Sequence, residues 1–229
     1  MYSIRLMEFH DLLEGKFIER INRFTVLLKY KNSNILCHLH DSGRLKEILI
    51  PNAKILFRKV KRNNRKTEYD VLAAENRGNW VIIDSRIPNI ILKKLIEFSL
   101  IDYKIIDENV KCGDSIIDFL LERNDKKYLT EVKGCTLYKN EYALFPDAPT
   151  IRGYKQLINM MNLCKENPLL IFIIMRNDPK ILSINKEIDP KFYEAIKIAL
   201  SKNLKVECYK IALEENTIYF KGEIPFLIK

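Results

Sequence analysis

The 229-residue sequence predicts a mixed α/β chain in two units: a small β-barrel over residues 1–86, then an α/β sandwich over residues 87–229. The first third consists of short runs of β-formers broken by turn signals. From Pro88 onward, helical spacings alternate with strands, and one strand is apolar on both faces. Charge divides the same way. Residues 1–86 hold 17 Lys and Arg against 10 Asp and Glu, a balance of +7; residues 87–229 hold 22 against 20, a balance of +2. A basic module joined to a carboxylate-bearing one suits a polyanionic partner, with nucleic acid the first candidate.

Strands are expected at 17–21, 24–30, 35–39, 54–61, 68–74 and 80–85, separated by Asn32-Ser33-Asn34, Asp41-Ser42-Gly43, Asn63-Asn64 and Arg77-Gly78-Asn79. Many short strands at close spacing read as a small barrel of the OB type. A short helix is expected from Leu45 to Leu49, stopped by Pro51-Asn52. The 54–66 hairpin contains Lys54, Arg58, Lys59, Lys61, Arg62, Arg65 and Lys66 and no acid, the composition of a phosphate-tracking arm, which Arg20 and Arg23 extend. Tyr30, Phe57, Tyr69 and Trp80 read as core aromatics before they read as stacking platforms.

Pro88 opens a helix whose apolar positions are Ile91, Leu92, Leu95 and Ile96. A strand follows at 103–110, then a hairpin. Its strands are 115–121 and 127–133, with the turn at Asn124-Asp125. The stretch 134–149 reads as loop. Thr150 is the expected cap of a second helix with Leu157, Ile158, Met161 and Cys164 inside and Arg152, Lys155, Gln156 and Asn159 outside, ended by Asn167-Pro168. Leu169 to Met175 is apolar on both faces and is therefore a central strand. A third helix spans 190–202, and strands at 206–213 and 217–220 finish the chain.

The hairpin carries the chemistry. A two-residue turn at 124–125 sets Asp118 opposite Glu131, and Lys133 shares their face two residues on. Opposed carboxylates destabilise a sheet unless a cation offsets them, and Mg²⁺ is typically held by one or two carboxylates plus water and phosphate oxygens. The lysine would orient water or stabilise phosphate charge. His38 and His40 share a strand face but lack partners for a metal pair, and read as satisfied or surface histidines.

Five scattered cysteines with no Cys-x-x-Cys predict reduced thiols and a cytoplasmic chain, without a zinc ribbon or a disulfide scaffold. The start leads into no apolar signal segment, and the longest strictly apolar run, 169–175, is too short to cross a bilayer, so no membrane partner is expected. The oligomeric state stays open, a dimer being one option.

The helix–strand order, with an aspartate on the middle strand and Glu-x-Lys on the next, resembles the PD-(D/E)XK nuclease superfamily. Arg20 to Phe24, His38 to Leu45, Ser115 to Phe119, Glu131 to Lys133 and Phe145 to Gly153 together resemble the SfsA (sugar fermentation stimulation protein A) family over nearly the whole chain. That resemblance implies an N-terminal OB-like domain packed on a nuclease-like α/β domain, and DNA binding by proteins regarded as regulators of sugar-utilisation genes. Asp118, Glu131 and Lys133 are the candidate catalytic set, with Asp118 and Glu131 holding Mg²⁺ or Mn²⁺, either in a DNA-binding regulator that does not cleave or in a metal-dependent nuclease; the resemblance leaves cleavage open. Arg152 would contact phosphate from the start of its helix, and Asp147 would act as a further ligand or close the loop. The DNA expected is double-stranded and read with low sequence specificity. Three positions depart from the family's usual pattern: Ile116 where an arginine is usual, Gln156 where a histidine is usual, and Lys94 where a glutamate is usual, with Glu97 one turn on as a weak substitute.

Overall fold

The computed structural model describes residues 3–61 and 67–228. The chain forms two compact units. One comprises Met1–Ile87, Met175–Asp178 and Lys210–Lys221; the other comprises Pro88–Ile174, Pro179–Tyr209 and Gly222–Lys229. A single cut along the chain therefore assigns two returning segments to the wrong unit.

The first unit contains β1 (Ile4–Glu8), β2 (Leu12–Asn22), β3 (Thr25–Tyr30), β4 (Ser33–His38), β5 (Lys54–Lys59), β6 (Tyr69–Asn76) and β7 (Asn79–Ile82). Strands β4-β3-β2-β5-β6 are neighbours in that order, and a parallel pairing of Cys37 with Tyr69 and His38 with Asp70 closes the ring. This is the OB barrel, which removes the sheet edges. Alternation fills it: Phe17, Val26, Leu28, Ile55, Phe57 and Val71 point inward and are buried. Gly15 lets the walls approach, because a Cβ there would sit 3.0 Å from the Lys29 carbonyl oxygen and 3.1 Å from the Phe57 ring.

Two expectations change here. Strand β1 and the first half of β2 were not expected, because the Leu6-Met7 and Leu12-Leu13 pairs break the alternation that marks a strand. The expected helix at 45–49 is a single turn, with the Ile48 and Leu49 amides donating to the Leu45 carbonyl. A positive φ of 48° at Leu45 blocks helix propagation from that side.

The second unit follows with α1 (Ile87–Glu97), whose first residue closes the first unit, then β8 (Lys104–Cys112), β9 (Ser115–Arg123), β10 (Lys126–Cys135), β11 (Leu137–Lys139), β12 (Tyr142–Phe145), α2 (Ile151–Asn162), β13 (Asn167–Ile174), β14 (Ile181–Ile184), α3 (Pro190–Ser201), β15 (Lys205–Glu214) and β16 (Thr217–Glu223). Residues Lys205–Tyr209 of β15 and Gly222–Glu223 of β16 belong to this unit, and the rest of those two strands to the first. The strand order is β15-β13-β10-β9-β8, with β10 and β13 parallel. Strand β13 is central and buried from Leu169 to Ile174, as its two apolar faces predict. Helices α2 and α3 share one apolar cluster that includes Leu157, Phe172, Phe192 and Ile196.

The stretch expected to be loop between β10 and α2 contains the β11–β12 hairpin, and β14 pairs in parallel with β12. These strands are only three to four residues long, below the length at which alternation is visible. Helix α2 stops at Asn162, and Asn167-Pro168 opens β13 instead of ending the helix.

Cys112 and Cys164 form a disulfide, which overturns the expectation of reduced thiols throughout; Cys37, Cys135 and Cys208 are buried thiols outside any disulfide. Spacing along the chain gave no hint, because the two are 52 residues apart. They meet where the end of α2 crosses the β8–β9 turn. Gly113 has a φ of 61°, which glycine adopts without strain, and a Cβ there would lie 2.5 Å from a Leu163 methyl carbon that would have to move aside. No helix among the described residues is long and apolar enough to cross a membrane.

Candidate functional site

The β9–β10 turn places Asn124 and Asp125 at φ 52° and 56°, the positive-φ pair that a two-residue primed turn requires. The register follows: Arg123 opposes Lys126, and pairing continues to Phe119 opposite Thr130. The next step brings up Asp118 and Glu131. There the regular ladder gives way, and the Asp118 carboxylate takes its place, with Oδ2 accepting from the Val132 amide at 2.9 Å. Its other oxygen accepts from Asn89 Nδ2 at 3.1 Å, from the first turn of α1.

Glu131 is 2% exposed. Its Oε1 accepts from Lys133 Nζ at 2.5 Å, and its Oε2 is buried with no hydrogen-bond partner. Burial raises the Glu131 carboxyl above its ordinary range; the Lys133 charge opposes this, the Asp118 charge adds to it, and Arg152 lowers it slightly. The three residues named from the sequence therefore share one environment. Lys133 Nζ also donates to Gln156 Oε1 at 2.9 Å, and Gln156 Nε2 donates to the Ile116 carbonyl at 3.1 Å.

Gln156 was expected on the outer face of α2 and is instead 2% exposed, while Met160, not Met161, is the deeply buried methionine. The amide is drawn inward by the Lys133 ammonium and the Ile116 carbonyl, which hydrophobic periodicity cannot register. Asn89 was not singled out at all. Its signal is a polar residue in the first turn of α1, just before the apolar run Ile90, Ile91 and Leu92.

The Thr150–Gly153 segment builds the start of α2. Thr150 Oγ1 accepts from the Gly153 amide at 3.1 Å, and a Cβ at residue 153 would lie 2.7 Å from that oxygen. Asp189 joins two helix starts: Oδ2 accepts from the Thr150 amide at 2.8 Å, and Oδ1 accepts from the Phe192 amide at 2.9 Å. Arg152 is exposed in the first turn of α2, with its charge felt at Glu131. Asp147 is half-buried in the segment between β12 and Thr150. Glu97 does not join the cluster. It ion-pairs with Lys94 at 2.8 Å at the end of α1, eight residues beyond Asn89, or roughly 12 Å along the helix.

In the first unit Arg20 is committed to the fold. Its guanidinium donates to the carbonyls of Arg23, Asp41, Gly43 and Arg44 at 2.6–3.1 Å, which shapes the 41–44 loop instead of leaving a phosphate contact. Arg23 is exposed beside the Phe24 ring. Arg58 lies over the Phe9 ring at 5.6 Å, and Lys59 and Lys61 are exposed. Arg62, Arg65 and Lys66 lie outside the described residues, as does the Asn63-Asn64 turn. Phe57 is fully buried and cannot stack on a base. Among the described residues, no group of three or more His, Cys, Asp or Glu side chains is arranged to hold a metal ion. Any cation at Asp118 and Glu131 would therefore have only two carboxylate ligands and would complete its shell with water or phosphate oxygens.

Comparison with known proteins settles the kinship. The profile of the sugar fermentation stimulation protein RE domain matches residues 86–217, and that of the SfsA N-terminal OB domain matches residues 18–83. The chain belongs to the SfsA family. It is 43% identical over 216 residues to the sugar fermentation stimulation protein homolog of Saccharolobus solfataricus, covering 93% of this chain and 85% of that one. The Methanothermobacter thermautotrophicus homolog is 37% identical over 210 residues, covering 89% and 88%. Among solved structures, that of Pyrococcus furiosus SfsA in complex with Ca²⁺ superposes with a TM-score of 0.92 at 28% identity, covering 98% of this chain and all of that one.

Proposed function

We propose that this SfsA-family chain binds DNA and holds a divalent cation, Mg²⁺ or Mn²⁺, at Asp118 and Glu131. The observation that carries the reading is Glu131 Oε2, a buried carboxylate oxygen without a partner next to a second carboxylate. A lone buried acceptor costs about 1–3 kcal/mol, more when charged, and a hard cation is the ligand that removes the cost. The donor set of two carboxylates fits such an ion, and the related Pyrococcus furiosus structure was solved with Ca²⁺.

A second reading is hydrolysis of the DNA phosphodiester, and the placement of Lys133 favours it. When bound, the cation supplies charge neutralisation at the phosphate and acidifies a coordinated water. The protein's own groups do the rest. Asn89 and the Val132 amide hold Asp118 in one orientation. Glu131 and Gln156 hold the Lys133 ammonium, which lies ready to stabilise negative charge on phosphate oxygens. Arg152 adds a cation at the start of α2, where the helix end is itself positive.

Titration calorimetry with Mg²⁺, Mn²⁺ and Ca²⁺ tests the cation. Wild type binds, and Glu131→Gln and Asp118→Asn lose the heat; equal binding by all three proteins refutes the site. Incubating plasmid and linear DNA with Mg²⁺ or Mn²⁺ tests the second reading, with cleavage expected from wild type and lost in Lys133→Ala. Salt-sensitive binding without cleavage leaves a DNA-binding protein with a structural cation.

A further inference from the structure

The first unit exposes an aromatic ring beside a cationic cleft. The β2–β3 turn has only two residues, Arg23 and Phe24, between paired Asn22 and Thr25. Phe24 is 44% exposed, yet its backbone is pinned: its amide donates to Asn22 Oδ1 at 2.9 Å, and its carbonyl accepts from the Leu39 amide at 2.9 Å. The ring is also not isolated. It stacks on His38 at 6.2 Å and 21°, and His38 meets His40 edge-on at 4.2 Å. His40 is anchored in turn, with Nε2 2.9 Å from Oδ2 of buried Asp70, an oxygen that also accepts from Arg86. The outward-facing ring is therefore held on a rigid stack.

Next to this tip lies a cleft of about 590 Å³ lined by Arg20, Arg23, Gly43, Arg44 and Lys46, with Glu19 as its one acid. Arg20 holds its floor rigid through the carbonyls of residues 41, 43 and 44. Arg23 belongs to both features, lining the cleft with its guanidinium carbon 5.5 Å from the Phe24 ring centroid. A cationic channel alone suits any polyanion. A fixed, exposed ring at its mouth suits one whose flat bases are unpaired, because a duplex hides its base faces.

We propose that the Arg23-Phe24 tip and the 41–46 loop form a binding track for single-stranded DNA, a base stacking on Phe24 and the adjoining phosphates lying in the cleft. This rests on the DNA-binding reading above and specifies its place and strand state. The sequence had suggested double-stranded DNA, with the contact on the 54–66 arm extended by Arg20 and Arg23.

The test is fluorescence anisotropy, in EDTA to prevent cleavage, with a labelled single strand of ~12 nucleotides and the duplex of the same sequence. Phe24→Ala should weaken single-strand binding about 5- to 150-fold, the range for loss of one stacked base, and change duplex binding less than twofold. Phe24→Trp should restore it. Arg44→Glu should weaken single-strand binding and flatten its salt dependence. A thermal melt matching wild type certifies each variant's fold. Single-strand affinity that is unchanged in Phe24→Ala overturns the track while leaving DNA binding standing. Failure of wild type to bind either form overturns both proposals.

Discussion

Glu131 and Lys133, two positions apart on β10, point the same way and meet, the lysine Nζ donating to Glu131 Oε1 at 2.5 Å while Oε2 remains without a partner. The ion pair satisfies one oxygen of a buried carboxylate, and the other is the one the proposed cation would contact. Neither partner is dispensable, since breaking a buried pair leaves one charge uncompensated, at a cost of about 3–5 kcal/mol.

Burial of Glu131 is expected to make stability depend on pH and, if the proposed cation binds there, on that ion. The folded Glu131 carboxyl is raised above its unfolded value, chiefly by burial. Its contribution is therefore fully present below the unfolded pKa of about 4.3 and lost as pH rises through the higher folded value. Cation-free protein should lose stability from this group across that window, and added Mn²⁺ or Ca²⁺ should restore more as pH rises. Thermal melts from pH 4 to 8, with and without the ion, check this. Glu131→Gln should flatten both trends.

Gln156 ties β9 and β10 together through one amide. Replacing it with alanine leaves the Ile116 carbonyl and one Lys133 proton without their partner. A loss of about 1–3 kcal/mol is expected in urea unfolding, with weaker cation binding by calorimetry. Gln156→Glu, which keeps an acceptor for Lys133 but not the donor for Ile116, separates the two bonds.

Asp189 caps α3 and holds the Thr150 amide at the start of α2. Asp189→Ala should cost more than an ordinary cap, above about 1 kcal/mol, because two helix starts lose their acceptor together. Thr150→Ala, which removes only the acceptor for Gly153, should cost less. Chemical denaturation of both variants gives the comparison.

The Cys112–Cys164 bridge closes a loop that contains Asp118, Glu131, Lys133 and Gln156. Thiol titration of unfolded protein should find three thiols without reductant and five with it. In the native state the three thiols outside the bridge should resist modification. They are buried, and burial pushes the Cys37 thiol up to about 12. Cys112→Ser should lower stability, with an upper bound on the order of 4 kcal/mol for a loop of this length. Five thiols without reductant would remove the bridge.

Much of this molecule is written locally. The Asn124-Asp125 turn fixes a register that runs to Phe119 opposite Thr130, so the nearness of Asp118 to Glu131 and Lys133 was readable, while the bond from the Val132 amide to the Asp118 carboxylate, which replaces the ladder there, was not. Thr150 as a cap and the doubly apolar 169–175 strand were readable for the same reason: each depends on neighbours a few residues away. What tertiary structure decided depends on distant partners. Gln156 turns inward only because Lys133 and Ile116 wait there, Asn89 matters only because α1 starts beside Asp118, and Cys112 finds Cys164 only where α2 crosses a hairpin. Arg20 shows the limit most plainly. Its charge suggested a phosphate, but four carbonyls contributed by residues 23 to 44 claim it, and a linear sequence does not reveal which acceptors folding will gather around a guanidinium.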